Sequence, residues 1–192
     1  MQSRANGING MNGTNGANGA NGTDGANPAP VKAFKVGDMA VHPAHGVGEV
    51  ALIEEKNFGG QNTNCYVLKI IDTGLKVMVP TEAAARVGLR PVMKKREAEK
   101  ILEILRAPEV AVDVQPWNRR FRAYTEMLKS GLPAEIAKVL RDMYRLKFDK
   151  DLSFGERRLL DQARSLLIQE LALAKKVAPA SIEGVIQEIF SA

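Results

Sequence analysis

The chain holds one cysteine, two histidines and one tryptophan among 192 residues, with three tyrosines and six phenylalanines besides. A single cysteine, Cys65, excludes an internal disulfide and suits a reducing compartment. His42, His45 and Cys65 are the only soft ligands, too few for a zinc site with its four close donors, so neither metal nor cofactor is expected. Gly46-Val47-Gly48 leads into a strand, whereas phosphate-cradling glycine loops open a helix. Acidic residues are scattered over helix faces without an evident pair. These gaps predict a protein that is not an enzyme and takes no small-molecule substrate. No apolar run approaches the roughly twenty residues that cross a bilayer, and the N-terminus lacks a continuous apolar stretch. The expectation is a soluble, cytoplasmic protein with no membrane partner.

What is present falls into three textures. Residues 6 to 25 repeat Asn-Gly-x with glycine at every third position from Gly7 to Gly25. The repeat is proline-free and too short for a triple helix, and it offers almost no large side chains to offset ordering entropy. Residues 1–30 are therefore expected to be a disordered low-complexity segment. From Phe34 the chain turns to short β-branched runs, which predict strands at Met39 to His42, Val47 to Glu55, Cys65 to Ile71 and Lys76 to Pro80. Gly46 and Gly48 suit a tight turn and a bulge, Gly59-Gly60 a longer hairpin loop and Asp72-Thr73-Gly74 a short one. The pattern over 31–93 is that of a small antiparallel SH3-like or Tudor-like barrel, a module of a size that usually binds partners.

Beyond Arg90-Pro91 the apolar period becomes helical. Helices are expected over 94 to 106, ended by Pro108; over 117 to 130, ended by Gly131; from Pro133; from a capping box at Ser153-Phe154-Gly155-Glu156; and a last one capped by Ser181. Residues 94–192 thus read as a compact all-α domain, and the chain as α+β. The formal net charge is +5. By segment the balance is zero for 1–30, plus one for 31–93, zero for 94–116, plus five for 117–164 and minus one for 165–192. An excess confined to one segment favours a footprint on a polyanion, of modest affinity and weakened by salt.

That segment opens with Pro116-Trp117-Asn118-Arg119-Arg120-Phe121-Arg122. Two readings stand. Trp117, Phe121, Tyr124 and Leu128 recur at helical spacing and could form one buried stripe, the arginines solvating the other side. Alternatively, the indole projects from the first turn among guanidinium groups, as in a chain that grips phosphates while pressing an apolar plane toward bases.

From Phe34 to the C-terminus the sequence resembles the bacterial CarD and CdnL family of transcription regulators, and within it the myxobacterial CdnL branch. The resemblance is carried by Phe34-Lys35-Val36-Gly37-Asp38, Tyr66-Val67-Leu68-Lys69, Val77-Met78-Val79-Pro80, Val87-Gly88-Leu89-Arg90, Trp117-Asn118-Arg119-Arg120 and Asp151-Leu152-Ser153-Phe154-Gly155-Glu156-Arg157. It implies a Tudor-like module docked on the β subunit of RNA polymerase through a sheet edge that includes Lys56, Met78 and Pro80. It also implies a helical domain on promoter DNA near the −10 element. There Trp117 would be a minor-groove wedge, Arg119 and Arg122 phosphate contacts with the adjacent Arg120 also among the DNA-binding residues, and Arg157 a contact from the start of the long helix. The implied role is stabilisation of the open complex at σ-dependent promoters such as those for ribosomal RNA. Met78 stands where some relatives have arginine, and His42 stands where an aromatic residue is expected. Residues 1–30 lie outside the family pattern. Two other functions fit the residues: a sequence-specific helix-turn-helix repressor turning at Leu132-Pro133, and a protein-interaction adaptor with Trp117 in its core.

Overall fold

The computed structural model describes residues 33–108 and 116–191. The expectation of disorder for 1–30 falls outside them. The first part is a five-stranded antiparallel sheet built from β1 (Met39–His42), β2 (Gly46–Phe58), β3 (Gln61–Ile70), β4 (Lys76–Pro80) and β5 (Arg90–Pro91), in the order β4-β3-β2-β1-β5. β1 and β4 match the expected limits. β2 and β3 run longer because the Gly59-Gly60 loop is a two-residue turn, with φ of 60° and 90°. Only such a turn keeps Phe58 paired with Gln61, and glycine adopts positive φ at both positions without steric cost.

The expected bulge is displaced. Gly48 pairs regularly with Ala40 and Ile70, and the register slips between Val50 and Leu52 instead. Gly48 is required for space, since a β-carbon there would meet the Lys69 carbonyl oxygen at 3.2 Å. A short 3₁₀ turn (Thr81–Ala83), α1 (Ala84–Val87) and β5 were not expected from the sequence. A three-residue turn and a four-residue helix carry too few apolar repeats to register as a period, and a two-residue strand carries none.

One face of the sheet is closed by Phe34, Val50, Tyr66, Leu68, Ile70, Val79, Ala84 and Leu89. Tyr66 ties this core to its lid: its hydroxyl accepts from the Phe34 N–H at 3.3 Å, and the two rings meet edge to face at 5.8 Å.

The second part comprises α2 (Lys95–Arg106), α3 (Trp117–Lys129), α4 (Pro133–Asp149), α5 (Phe154–Lys175) and α6 (Pro179–Ser191). α2 to α5 follow the expected periods. α6 starts earlier than predicted, at Pro179, whose fixed φ and missing N–H suit a first helical position, so Ser181 lies inside the helix and is not its cap. α4 is the central helix, burying Ile136, Ala137, Val139, Leu140, Arg141, Met143 and Tyr144. It packs against α2, α3 and α5.

α5 owes its start to the capping box. Ser153 Oγ accepts from the Glu156 N–H at 3.4 Å, and Glu156 Oε2 accepts from the Ser153 N–H at 2.7 Å. Such a cap stabilises a helix by about 1 kcal/mol. Glu156 is itself buried, and its other oxygen accepts from Lys150 Nζ at 2.9 Å. Burial alone would raise this carboxyl's pKa, but the bonds from Lys150 and Ser153 prevail and hold it below the ordinary carboxylate range.

The sheet and the helices meet along a polar and close-packed seam. Pro43 lies over Gly131, where a β-carbon would come within 2.7 Å of the proline ring and where φ is +65°. Ser165 Oγ donates to Asp72 Oδ2 at 2.7 Å. Arg90 of β5 reaches Glu170 of α5.

Candidate nucleic-acid and protein interfaces

Trp117 is the first residue of α3, and Pro116 before it is extended, with φ −53° and ψ 143°. No side chain caps this helix. The ring is half-buried: it packs against the helical core and against Phe121, with ring centroids 5.6 Å apart. Of the expected stripe only Leu128 is fully buried, while Trp117, Phe121 and Tyr124 stay at the margin. The stripe reading therefore holds for the packing of the helix, yet leaves part of the indole at the surface. An adaptor with Trp117 sealed in its core does not fit this seat.

The indole lies beside the first turn of α5. A β-carbon on Gly155 would stand 3.6 Å from Trp117 Cζ2, so the starts of α3 and α5 converge. Each brings the positive end of a helix dipole to this corner and carries exposed arginines within its first two turns. Arg119 and Arg122 are exposed, and among the described residues no hydrogen bond or ion pair holds either of them. Arg157 is exposed, its Nε donating to the Leu152 carbonyl at 2.9 Å, which orients the rest of the guanidinium outward from the helix start. Arg120 differs from its neighbours. It is half-buried, its guanidinium carbon stands 5.8 Å from the centre of the Trp117 ring, and its buried Nε has no hydrogen-bond partner among the described residues. That is the placement of a prop behind the indole.

Two residues at this corner escaped sequence reasoning. Phe154 leaves 82% of its surface exposed on the first turn of α5, and Arg158 is exposed beside it. The signal for Phe154 was present: it lies on the opposite side of the helix from Leu159, Ala163 and Leu166, so it was an apolar residue outside the buried stripe.

The three sheet residues also come together. Leu52, Val67 and Met78 are direct cross-strand partners, as are Glu54, Cys65 and Pro80, while Lys56 opposes Thr63. Direct partners share a face, so Lys56, Met78 and Pro80 stand on the side of the sheet opposite Tyr66 and Leu68. Met78 is 50% exposed there and Leu52 41%. β4 is an edge strand, leaving one row of backbone groups unpaired within the sheet. Lys56 Nζ is 3.3 Å from Glu54 on the same face.

Among the described residues no group of three or more His, Cys, Asp or Glu side chains is placed to share a metal. The His42 and His45 rings lie with centroids 4.8 Å apart and planes tilted by 38°, and His42 Nδ1 accepts from the Ala44 N–H at 3.2 Å. Burial, with His45 adding to it, lowers the His42 pKa. Among the described residues no helix is long and apolar enough to cross a membrane.

A small antiparallel, Tudor-like sheet seamed to a helical body defines a two-part α+β protein whose surfaces, rather than cavities, carry its distinguishing chemistry. The family model described as CarD-like/TRCF RID domain matches residues 34–93, and that described as CarD, C-terminal domain matches residues 100–187. The chain belongs to the CarD-like family of transcription regulators, whose sheet domain is an RNA polymerase-interacting domain. It is 33% identical over 151 residues to YdeB, a candidate transcription factor of Bacillus subtilis (strain 168), covering 79% of this chain and 98% of that protein. It is also 42% identical to the solved CdnLNt from Myxoccoccus xanthus, over 34% of this chain and 92% of that one, with a TM-score of 0.28.

Proposed function

We propose that the protein binds the β subunit of RNA polymerase through the sheet face carrying Lys56, Met78 and Pro80. Its helical corner then grips promoter DNA at the upstream edge of the bubble and prolongs the life of the open complex. The observation that carries this reading is the half-exposed Trp117 indole at the junction of two helix starts, with exposed arginines on both helices, Arg119 and Arg122 on α3 and Arg157 on α5, where Phe154 is exposed as well. Arginines hold the backbone and an apolar plane meets a distorted base step; Arg120 supports the plane from behind.

The energetics follow from linkage. A ligand shifts an opening equilibrium only by preferring one state, and an indole prefers a step that is already widened, because unstacking an intact one costs about a few kcal/mol. A net charge of +5 gives weak attraction to DNA by itself. Docking on polymerase compensates by raising the local concentration of the helical corner, so that two weak contacts act as one strong one.

A repressor reading the major groove through α4 is disfavoured by burial: a recognition helix must present a face, and α4 is enclosed by α2, α3 and α5. The test is the lifetime of open complexes at a ribosomal RNA promoter after competitor challenge, with polymerase alone, with the protein and with Trp117→Ala. The protein should lengthen it and the variant should not. An equal lifetime for protein and variant rejects the wedge.

A further inference from the structure

The two surfaces just described lie on different parts of the chain, and one guanidinium ties them together. Arg90 Nη1 and Nη2 donate to the two oxygens of Glu170 at 2.5 and 2.8 Å. Nε and Nη2 also donate to the Gly131 carbonyl at 3.3 and 3.0 Å, and Nη1 to the Pro91 carbonyl at 3.3 Å. The whole donor fork is engaged. Glu170 is completely buried, and its Oε1 also accepts from the Met93 N–H at 3.0 Å.

The partners of this fork matter more than their number. Arg90 belongs to β5, which pairs with β1 in the sheet. Gly131 ends the helix that begins with Trp117, and Glu170 sits on the helix that begins with Phe154 and Arg157. A single residue of the sheet domain therefore grips both helices that build the basic, aromatic corner. Pro43, seated on Gly131 where even a methyl group would clash, packs at the same joint.

We infer that Arg90 is a positioning residue: the Arg90–Glu170–Gly131 clamp fixes the helical corner relative to the polymerase-facing sheet, making the protein a rigid spacer of set geometry. The inference rests on the function proposed above for its consequence, but the clamp itself can be tested without it. The physical argument is that a tether multiplies affinity only when both ends can be engaged at once. A joint held at one angle concentrates the corner where the bubble is, whereas a loose joint dilutes it over every accessible orientation. Lysine cannot replace the fork, because an ammonium is a point donor that cannot satisfy two carboxylate oxygens and a carbonyl in one plane.

The experiment uses the full chain with spin labels on Lys35→Cys and Ser181→Cys, both exposed and one in each part, in a Cys65→Ala background that removes the buried native thiol. Label distances are measured in the parent, in Arg90→Lys, and in the double variant Arg90→Leu/Glu170→Leu. The double variant removes both charges and so avoids an orphaned buried carboxylate. Circular dichroism identifies the variants that fold. The parent should give one narrow distance peak and the folded variants a broad one. A peak as narrow in the double variant as in the parent overturns the clamp.

In the same set, open-complex lifetime should fall about tenfold or more in the variants, with affinity for the isolated β subunit unchanged. A broadened joint with parental lifetime overturns the positioning role. If the parent itself fails to prolong open complexes, the proposed function is rejected and the distance result still decides the clamp.

Discussion

Gly155 packs against the benzo edge of the Trp117 indole: a β-carbon there would stand 3.6 Å from Trp117 Cζ2 and 3.7 Å from Phe121 Cε2. This is ordinary contact distance, with room for a methyl group and for little else. Gly155→Ala is expected to fold and to gain up to about 1 kcal/mol, since alanine loses less backbone entropy in a helix. Gly155→Leu should displace the ring. Trp117 is the single tryptophan, so its emission reports this alone: unshifted in the alanine variant, red-shifted in the leucine variant. Parental emission in Gly155→Leu would show that the indole is not seated on the α5 turn.

The arginines of α3 should separate by experiment into two kinds. Arg122 is exposed and unpaired among the described residues, so Arg122→Ala should weaken DNA binding uniformly across sequences. The slope of log K against log salt should fall by about 0.9, one phosphate's worth. Arg120 is turned onto the indole. Arg120→Ala should leave that slope nearly unchanged and should shift Trp117 emission. A full unit of slope lost on changing Arg120 would instead make it a phosphate contact.

On the sheet, Met78 is half-exposed on the edge strand. Met78→Glu places a charge on an apolar row without touching the core. Thermal stability should stay within about 0.5 kcal/mol of the parent, while affinity for the β subunit should drop at least about tenfold, a loss of about 1.4 kcal/mol. Unchanged affinity in a pull-down titration would move the dock elsewhere.

Acid should loosen the start of α5. The Glu156 carboxyl is held below its ordinary pKa of 4.5 in the fold. The unfolded chain therefore takes up this proton first as pH drops. The stabilisation it supplies is complete above about 4.5 and is lost as pH falls through the lower folded value. Glu156→Gln should cost about 1 to 3 kcal/mol at neutral pH, the worth of charged hydrogen bonds, and should flatten stability between neutral and acid pH. Urea melts of both proteins at pH 7 and pH 3 check this; parallel losses on acidification would assign the effect to other carboxylates.

The parts legible in the sequence were those with a repeating signal. Short apolar runs bounded by turn residues located β1 and β4 to the residue, and the Ser153 and Glu156 pair located the start of α5. Signals that depend on two distant segments were silent. Nothing near Gly48 announces that the Lys69 carbonyl will pass 3.2 Å away, so the glycine was read as a bulge. Nothing near Glu170 distinguishes it from a solvated helix acid until Arg90, 80 residues away, meets it. At the site, residue types indicated Trp117 and its arginines. Only geometry could separate Arg120, turned inward, from Arg119 and Arg122, because adjacent helix positions face different directions and the side-chain route is set by what packs beneath. Phe154 was readable from helix phase alone, and was missed because its neighbours form a strong cap motif that accounts for the segment without it.

The half-sunk seat of Trp117 sets a depth. A ring backed by Phe121 and by the first turn of α5 offers only its unburied part, a rim, and would leave its support by travelling further. Full intercalation needs a free blade; a rim can only fill a gap that something else has opened. The protein is thus built as a chock and not a lever: in the role proposed here it keeps strands from rejoining, while the work of parting them stays with the polymerase.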